Sequence, residues 1–473
     1  MRPRRTIKTL CVSVGFVILL WMVLPALKWE TDDSIEANIL KVAKRPLADV
    51  KSNIVNGQPE KDKSVVGHEK LIHQQKRQVA DSPEMAIEEA GPPDVIVTRK
   101  PNISLGLSAQ SERIKEAMLT INHEQKIWNQ ERYPVRPEDS IVIVVMVHDR
   151  LEYLEYLIES LRKADGISSA LLIFSHDYYS EDINRVVRRV DFCQMMQIFY
   201  PYSLQVYQNE FPGMDPKDCP RDITREKARQ TRCNNWEHPD SYGHYREVRY
   251  VMTKHHWFWK LQHIFSGLEA TRNHEGLVVF MEEDHYVAPD FYPMLQKMYT
   301  LKKEKCPECD ILTLGNYDKT FVYRDRIDKV DILTWQSSKH NMGMSLDRRT
   351  WEKLQPCVQV FCTYDDYNWD WTMNYVSHKC LKSAMKVMVF KSPRIFHIGE
   401  CGIHHKGKCS ANDLIQRINR AIAADSNSFF PKELVLTPST RPLKAQLPKP
   451  NGGWGDVRDH ALCMTYGKSP KNL

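Results

Sequence analysis

Three consecutive carboxylates and an imidazole, Glu282-Glu283-Asp284-His285, end an apolar run that begins at Leu277. Leu277-Val278-Val279-Phe280-Met281 has the composition of a buried strand. Open α/β sheets build ligand sites where such strands deliver side chains at their carboxyl ends. Oxygen donors beside an imidazole suit a hard or borderline divalent cation such as Mn2+ or Mg2+. A cation there would hold a phosphorylated ligand and, as a Lewis acid, could stabilise a departing diphosphate. One carboxylate would ligate the metal and a second could accept hydrogen bonds from ribose hydroxyls. The competing reading is an acidic loop that caps a strand and faces water.

A second acid-rich stretch, Tyr364-Asp365-Asp366-Tyr367-Asn368-Trp369-Asp370-Trp371, interleaves rings with carboxylates. Rings stack on sugar faces, acids bind hydroxyls, and one acid could deprotonate an attacking hydroxyl. The alternative is that the rings are core and the acids are solvated. His397 follows an apolar pair, and such a histidine is more often structural than a metal ligand. Cys306-Pro307-Glu308-Cys309 has redox or half-zinc spacing, but no second CxxC lies at zinc-finger distance, so a structural disulfide is the better reading.

These residues need elements to position them. Ile141 to Val147 is a long apolar run, as in a buried parallel strand. Leu151 to Ala164 carries Leu151, Leu154, Leu157, Ile158 and Leu161 on one helical face. Ala170 to Phe174 and Gln197 to Ser203 read as further strands, Tyr245 to Thr271 as a long helix, and Asp310 to Leu314 as a strand after the acidic motif. Alternation of strand and helix predicts a doubly wound α/β domain. There is no G-x-G-x-x-G, and Gly452-Gly453-Trp454-Gly455 reads as a loop.

The amino terminus places Arg2, Arg4, Arg5 and Lys8 before an apolar run from Thr9 to Leu27. That run would be about 28 Å long as a helix, close to the roughly 30 Å of a bilayer core. It is long for a signal peptide and lacks an A-x-A-like site, so residues 1–8 are expected as a cytoplasmic tail and 9–27 as a type II signal anchor. Glu30 to Ile127 has no Phe, Tyr or Trp, and residues 28–135 are expected as a largely disordered lumenal stem. Within it, Ser111 to Trp128 spaces Ile114, Met118, Ile121 and Ile127 at near-helical intervals, either for docking on the domain or for self-association, as in a homodimer. Residues 136–473 form the expected lumenal domain. Of twelve cysteines, eleven follow the anchor, and Asn102-Ile103-Ser104 is the single N-glycosylation sequon. Much of the net charge of +6 comes from tail and stem, with no basic stripe of the kind nucleic acid needs.

Seven segments occur in order: Ile173-Phe174-Ser175-His176-Asp177, Asn209-Glu210-Phe211-Pro212-Gly213, Lys254-His255-His256-Trp257, Glu282 to Tyr286, His340-Asn341-Met342-Gly343, Tyr364 to Trp371, and Asn451-Gly452-Gly453-Trp454-Gly455-Asp456. Together, from about Glu138 to Tyr466, they closely resemble the Golgi N-acetylglucosaminyltransferase II family. The resemblance implies an α/β GT-A glycosyltransferase fold, a Rossmann-like mixed sheet flanked by helices, in a single-pass type II Golgi membrane protein. It implies Mn2+-dependent, inverting transfer of GlcNAc from UDP-GlcNAc to the 2-hydroxyl of the α1,6-arm mannose of an N-glycan. That glycan would already carry GlcNAc on its α1,3 arm.

Carried over residue by residue, Asp284 and His397 would hold Mn2+ and Asp370 would be the catalytic base. Glu283 would bind ribose, with Glu282 in support. His148, Arg150 and Asp177 would meet the nucleotide, and Arg221 would lie near the diphosphate. Asp240, Asn341 and Trp369 would lie on the acceptor side. The resemblance also implies disulfides Cys219–Cys233, Cys306–Cys309, Cys357–Cys380, Cys362–Cys463 and Cys401–Cys409, with Cys193 left as a buried thiol. A β1,2-GlcNAc transferase acting on a different mannose, and a non-catalytic lumenal glycan-binding protein, are the alternatives.

Overall fold

The structure is a computed structural model that describes residues 103–134, 140–318, 321–399, 410–437, 447 and 449–467. The expected anchor, Asn102 and the Cys401–Cys409 pair lie outside these residues. Among the described residues no helix is long and apolar enough to cross a membrane.

Helix α1 (Ile103–Glu124) and the short strand β1 (Ile127–Trp128) come first. β1 pairs antiparallel with β4 (Gln194–Phe199), and the Asn122 amide brackets the backbone of Phe199, donating to its carbonyl and accepting its N–H at 2.7 Å each. The stem boundary expected at residue 135 is therefore too late. The folded unit reaches at least to α1, and Ser111 to Trp128 docks on the sheet through Met118 and these pairings. The missing aromatics upstream concealed this, because one buried methionine and one asparagine suffice to seat the helix.

Three parallel strands form the centre: β2 (Val142–Val147), β3 (Leu171–His176) and β4. β5 (Val278–Glu282) joins the other side of β2 in parallel. The local order is thus β4-β3-β2-β5, and the chain reverses its direction of sheet growth between β2 and β5. Such a switch point opens a crevice at the strands' carboxyl ends. Successive side chains point to opposite faces. Ile143, Val145, Leu172, Phe174, Val279 and Met281 fill one core with helix α2 (Leu151–Arg162). Val142, Val144, Leu171, Ile173, Val278 and Phe280 fill the other with helix α3 (Val248–Gln262). Burial on both faces explains why these strands read as unbroken apolar runs.

The remaining strands are β6 (His285–Val287), β7 (Ile311–Thr313), β8 (Lys329–Thr334), β9 (Met344–Leu346), β10 (Lys386–Phe390), β11 (Ile395–His397) and β12 (Val435–Leu436). The large mixed sheet runs β1-β4-β3-β2-β5-β9-β7-β10-β8-β12. β9 is antiparallel to both β5 and β7, so the sheet is mixed, as the resemblance implies. β6 and β11 form a separate antiparallel ladder that sets His397 directly opposite His285. The expected helix Tyr245 to Thr271 is shorter: α3 ends at Gln262 in a π-type turn, His263–Gly267.

The structure forms Cys219–Cys233, Cys306–Cys309, Cys357–Cys380 and Cys362–Cys463, and Cys193 is a buried free thiol. Cys362–Cys463 ties the carboxy-terminal helix α5 (Val457–Tyr466) to the segment just before Tyr364. Helix α4 (Trp369–Lys379) follows that segment and carries Asp370 in its first turn.

Candidate functional site

β5 stays apolar to Met281, then presents Glu282, and the chain turns at Glu283 and Asp284 into His285 of β6. Backbone bonds fix the turn. Glu283 N–H donates to Met146 O at 3.0 Å, and Ile398 N–H donates to Asp284 O at 2.8 Å. Gly399 sits so close that a Cβ there would lie 2.0 Å from Asp284 Oδ2, so glycine is what lets β11 close over the acid.

The three acids meet different surroundings. Glu283 is buried, and both oxygens are engaged: Oε2 accepts His148 N–H at 2.7 Å and Oε1 accepts Arg150 Nε–H at 2.8 Å. It braces the end of β2 against β5. Asp284 is 2% exposed. Its Oδ2 accepts from Arg150 Nη1 at 2.8 Å and lies 3.1 Å from His397 Nε2. Its Oδ1 is buried without a hydrogen-bond partner. Burial opposes ionisation, but the hydrogen bond and charge of His397, with Arg150, outweigh it and hold the carboxyl well below its usual range. Burial likewise opposes charge on His397, and the hydrogen bond it donates to Asp284, with that acid's charge, overrides burial and raises its pKa. Glu282, half-exposed, is pushed upward by burial and then by the charge of Asp284.

These residues fit a divalent cation. A buried carboxylate oxygen without a partner costs about 1–3 kcal/mol, so Asp284 Oδ1 is a vacant donor position rather than a satisfied one. Glu282, Asp284 and His285 each bring one ligand atom within 4.8 Å of the others. Burial lowers the pKa of His285 to about 4, so the ring is neutral; its Nδ1 accepts Glu282 N–H at 3.2 Å and its proton therefore sits on Nε2, so ligation by this ring requires that bond to be given up. The sequence reading put this imidazole beside the acids of a cation site but gave it no individual ligand role. The β6–β11 register that sets it beside His397 is what reveals it.

On the other side of β2, Asp177 Oδ1 lies 2.7 Å from His148 Nδ1, and Asp177 Oδ2 lies 3.6 Å from His256 Nδ1. The hydrogen bond to Asp177 raises His148 to about 9, while burial lowers His256. Lys260, one turn after His256, is fully buried over the Phe280 ring at 5.7 Å. Burial pushes its ammonium down, and Glu282 and Asp177 pull it back up. The sequence signal for these two was the i, i+4 spacing of His256 and Lys260 on one helix.

Asp370 is held at both oxygens. Oδ1 accepts Trp371 N–H and Oδ2 accepts Asn341 Nδ2–H, each at 2.9 Å. Burial first, then the charges of Asp366 and Glu282, raise its pKa to about 6. The neighbouring acids are spent elsewhere. Asp366 accepts from Asn368 N–H, Asn451 N–H and Asn451 Nδ2 at 2.9–3.0 Å. Asp365 accepts from Ser241 and from Trp454 N–H.

Two assignments change. Asp240 is buried and accepts backbone N–H groups of Tyr242, His244 and Gly453, so it ties loops together. Trp369 is core: its ring stacks on Trp257 at 4.1 Å and 8°. Arg221 is engaged by Asp222 at 2.7 Å and Glu247 at 3.1 Å. Asn341, expected on the acceptor side, directly contacts Asp370.

Acids and imidazoles gathered at the switch point of a mixed α/β sheet, with a carboxylate of raised pKa facing them, define a ligand-binding α/β protein equipped for acid–base chemistry. The chain belongs to the N-acetylglucosaminyltransferase II (MGAT2) family, whose model matches residues 115–463. It is 47% identical over 75% of its length to the alpha-1,6-mannosyl-glycoprotein 2-beta-N-acetylglucosaminyltransferase of Sus scrofa, covering 79% of that protein. The Homo sapiens and Arabidopsis thaliana proteins of the same name are 46% and 35% identical, over 75% and 78% of this chain and 79% and 84% of theirs. A Pyrobaculum calidifontis mannosyltransferase solved with GDP-Man and Mn2+ aligns over 68% of this chain and 87% of its own at 12% identity, with a TM-score of 0.29, too remote to carry an argument.

Proposed function

We propose that this protein is a GT-A glycosyltransferase. It transfers GlcNAc from UDP-GlcNAc, with inversion, to the 2-hydroxyl of the α1,6-arm mannose of an N-glycan already bearing GlcNAc on its α1,3 arm. The observation that carries the reading is Asp370, a fixed carboxylate of raised pKa in the field of the β5 acids, in a chain of this family.

Asp370 takes the proton of the mannose 2-hydroxyl as that oxygen attacks the anomeric carbon. The new C–O bond forms on the face opposite the departing UDP, and the proton stays on Asp370 until release. His148 and Asp177, at the ends of β2 and β3, with His256 of α3 against Asp177, stand for the nucleotide. Arg150 brings positive charge to the β5 acids. Mn2+, held by Asp284 and His397 with Glu282 and His285 adjoining, would supply Lewis-acid stabilisation of the leaving diphosphate. The basic tail and apolar run support a single-pass type II Golgi membrane protein, and four disulfides support a lumenal catalytic domain.

The test incubates purified protein with UDP-GlcNAc, Mn2+ and a hybrid N-glycan whose α1,6-arm mannose is free. One added GlcNAc, β1,2-linked to that mannose and lost with a chelator, is expected. Addition to a different mannose would reassign the acceptor. Glycan binding without any transfer would make the chain a lectin.

A further inference from the structure

Tyr317 lies on the loop after β7, outside every acidic motif, and its ring is 52% exposed. Its O–H donates to Asn341 Oδ1 at 2.6 Å, and Asn341 Nδ2 donates to Asp370 Oδ2 at 2.9 Å. A primary amide is a donor on one side and an acceptor on the other. With the phenol donating to its oxygen, only its NH2 can face the carboxylate. Turned over, it would set a carbonyl oxygen against an anionic one. The phenol keeps its proton: desolvation of the hydroxyl, then the charges of Glu282 and Asp370, hold it above the ordinary range. The other oxygen of Asp370 is fixed by Trp371 N–H. Two donors from different elements therefore set the plane of the carboxylate, and Tyr317 dictates the sense of one of them.

We propose that Tyr317 is a positioning residue for the base, acting through the Asn341 amide to aim the free lone pairs of Asp370 at the acceptor hydroxyl. This rests on the reading of Asp370 as base. Tyr317 touches neither the β5 acids nor Asp370 by any hydrogen bond, so its effect on turnover runs through Asn341.

The experiment uses the full chain with Tyr317→Phe, which keeps the ring, Asn341→Ala, and the double variant. Tyr317→Phe is expected to lower kcat about tenfold, the kinetic size of one ordinary hydrogen bond, with the KM for UDP-GlcNAc unchanged. The double variant should be no slower than Asn341→Ala alone, because the two act as one unit. Tyr317→Phe turnover within twofold of the parent, an effect on acceptor KM alone, or fully additive losses in the double variant would each overturn the relay. Asp370→Asn is run beside them. Normal turnover in that variant would remove the base assignment itself, whereas its loss with a normal Tyr317→Phe enzyme would remove only the relay.

Discussion

Two acid-rich segments, Glu282 to Asp284 and Tyr364 to Asp370, look alike as sequence and behave differently in the fold. In the first, Asp284 keeps a buried oxygen without a partner, and Arg150 and His397 aim positive charge at the other. In the second, Asp365 and Asp366 each accept three hydrogen bonds, including backbone N–H groups of three loops, whereas Asp370 accepts only one on each oxygen. Carboxylate density is therefore a poor guide to chemistry. What separates a catalytic or binding acid from a structural one is whether its acceptor capacity is already used.

The largest expected effect separates the segments most sharply. Asp284→Ala should lower transfer about 10³-fold, the upper range for losing one electrostatic stabiliser of a transition state, and abolish calorimetric Mn2+ binding. Unchanged Mn2+ affinity would move the metal to Glu282 and His285.

Asp366→Ala should act on folding. It leaves three donors unpaired in a buried turn, a cost of about 3 kcal/mol or more, so Tm should fall by several degrees while residual UDP binding persists below the transition. A normal Tm with lost turnover would instead make Asp366 the base.

The pH profile is subtler. A base must be deprotonated, and Asp370 sits near pKa 6, so with donor and Mn2+ saturating, kcat/KM for the acceptor should fall about tenfold per pH unit below roughly 6. An unperturbed aspartate would hold that plateau to about pH 4. A profile flat to pH 4.5 would contradict the raised pKa.

Much of this was legible in the sequence where a signal is local. β2, β3 and β5 are continuous apolar runs because both faces are buried, and the acids at the end of β5 are contiguous. What was hidden depends on distant pairing. The three-residue strands β7 and β9 are too short to show a period, and β9 inserts antiparallel between β5 and β7. His285 meets His397 only through the β6–β11 register. Asp240 reads as a free acid until residues near 453 fold onto it, and Trp369 reads as a sugar platform until Trp257 covers it. Helix α1 carried a readable apolar spacing, but its partner strand lies some seventy residues downstream.

The most direct test of the account is Asp370→Asn, an isosteric change at the acid of its segment that accepts a single hydrogen bond on each oxygen. Transfer to the acceptor should fall at least about 10²-fold, while UDP affinity stays the same and the variant stays folded, with only a modest loss of Tm because its new NH2 meets one of the two donors that held the carboxylate. Near-normal turnover in a folded, UDP-binding variant would contradict it.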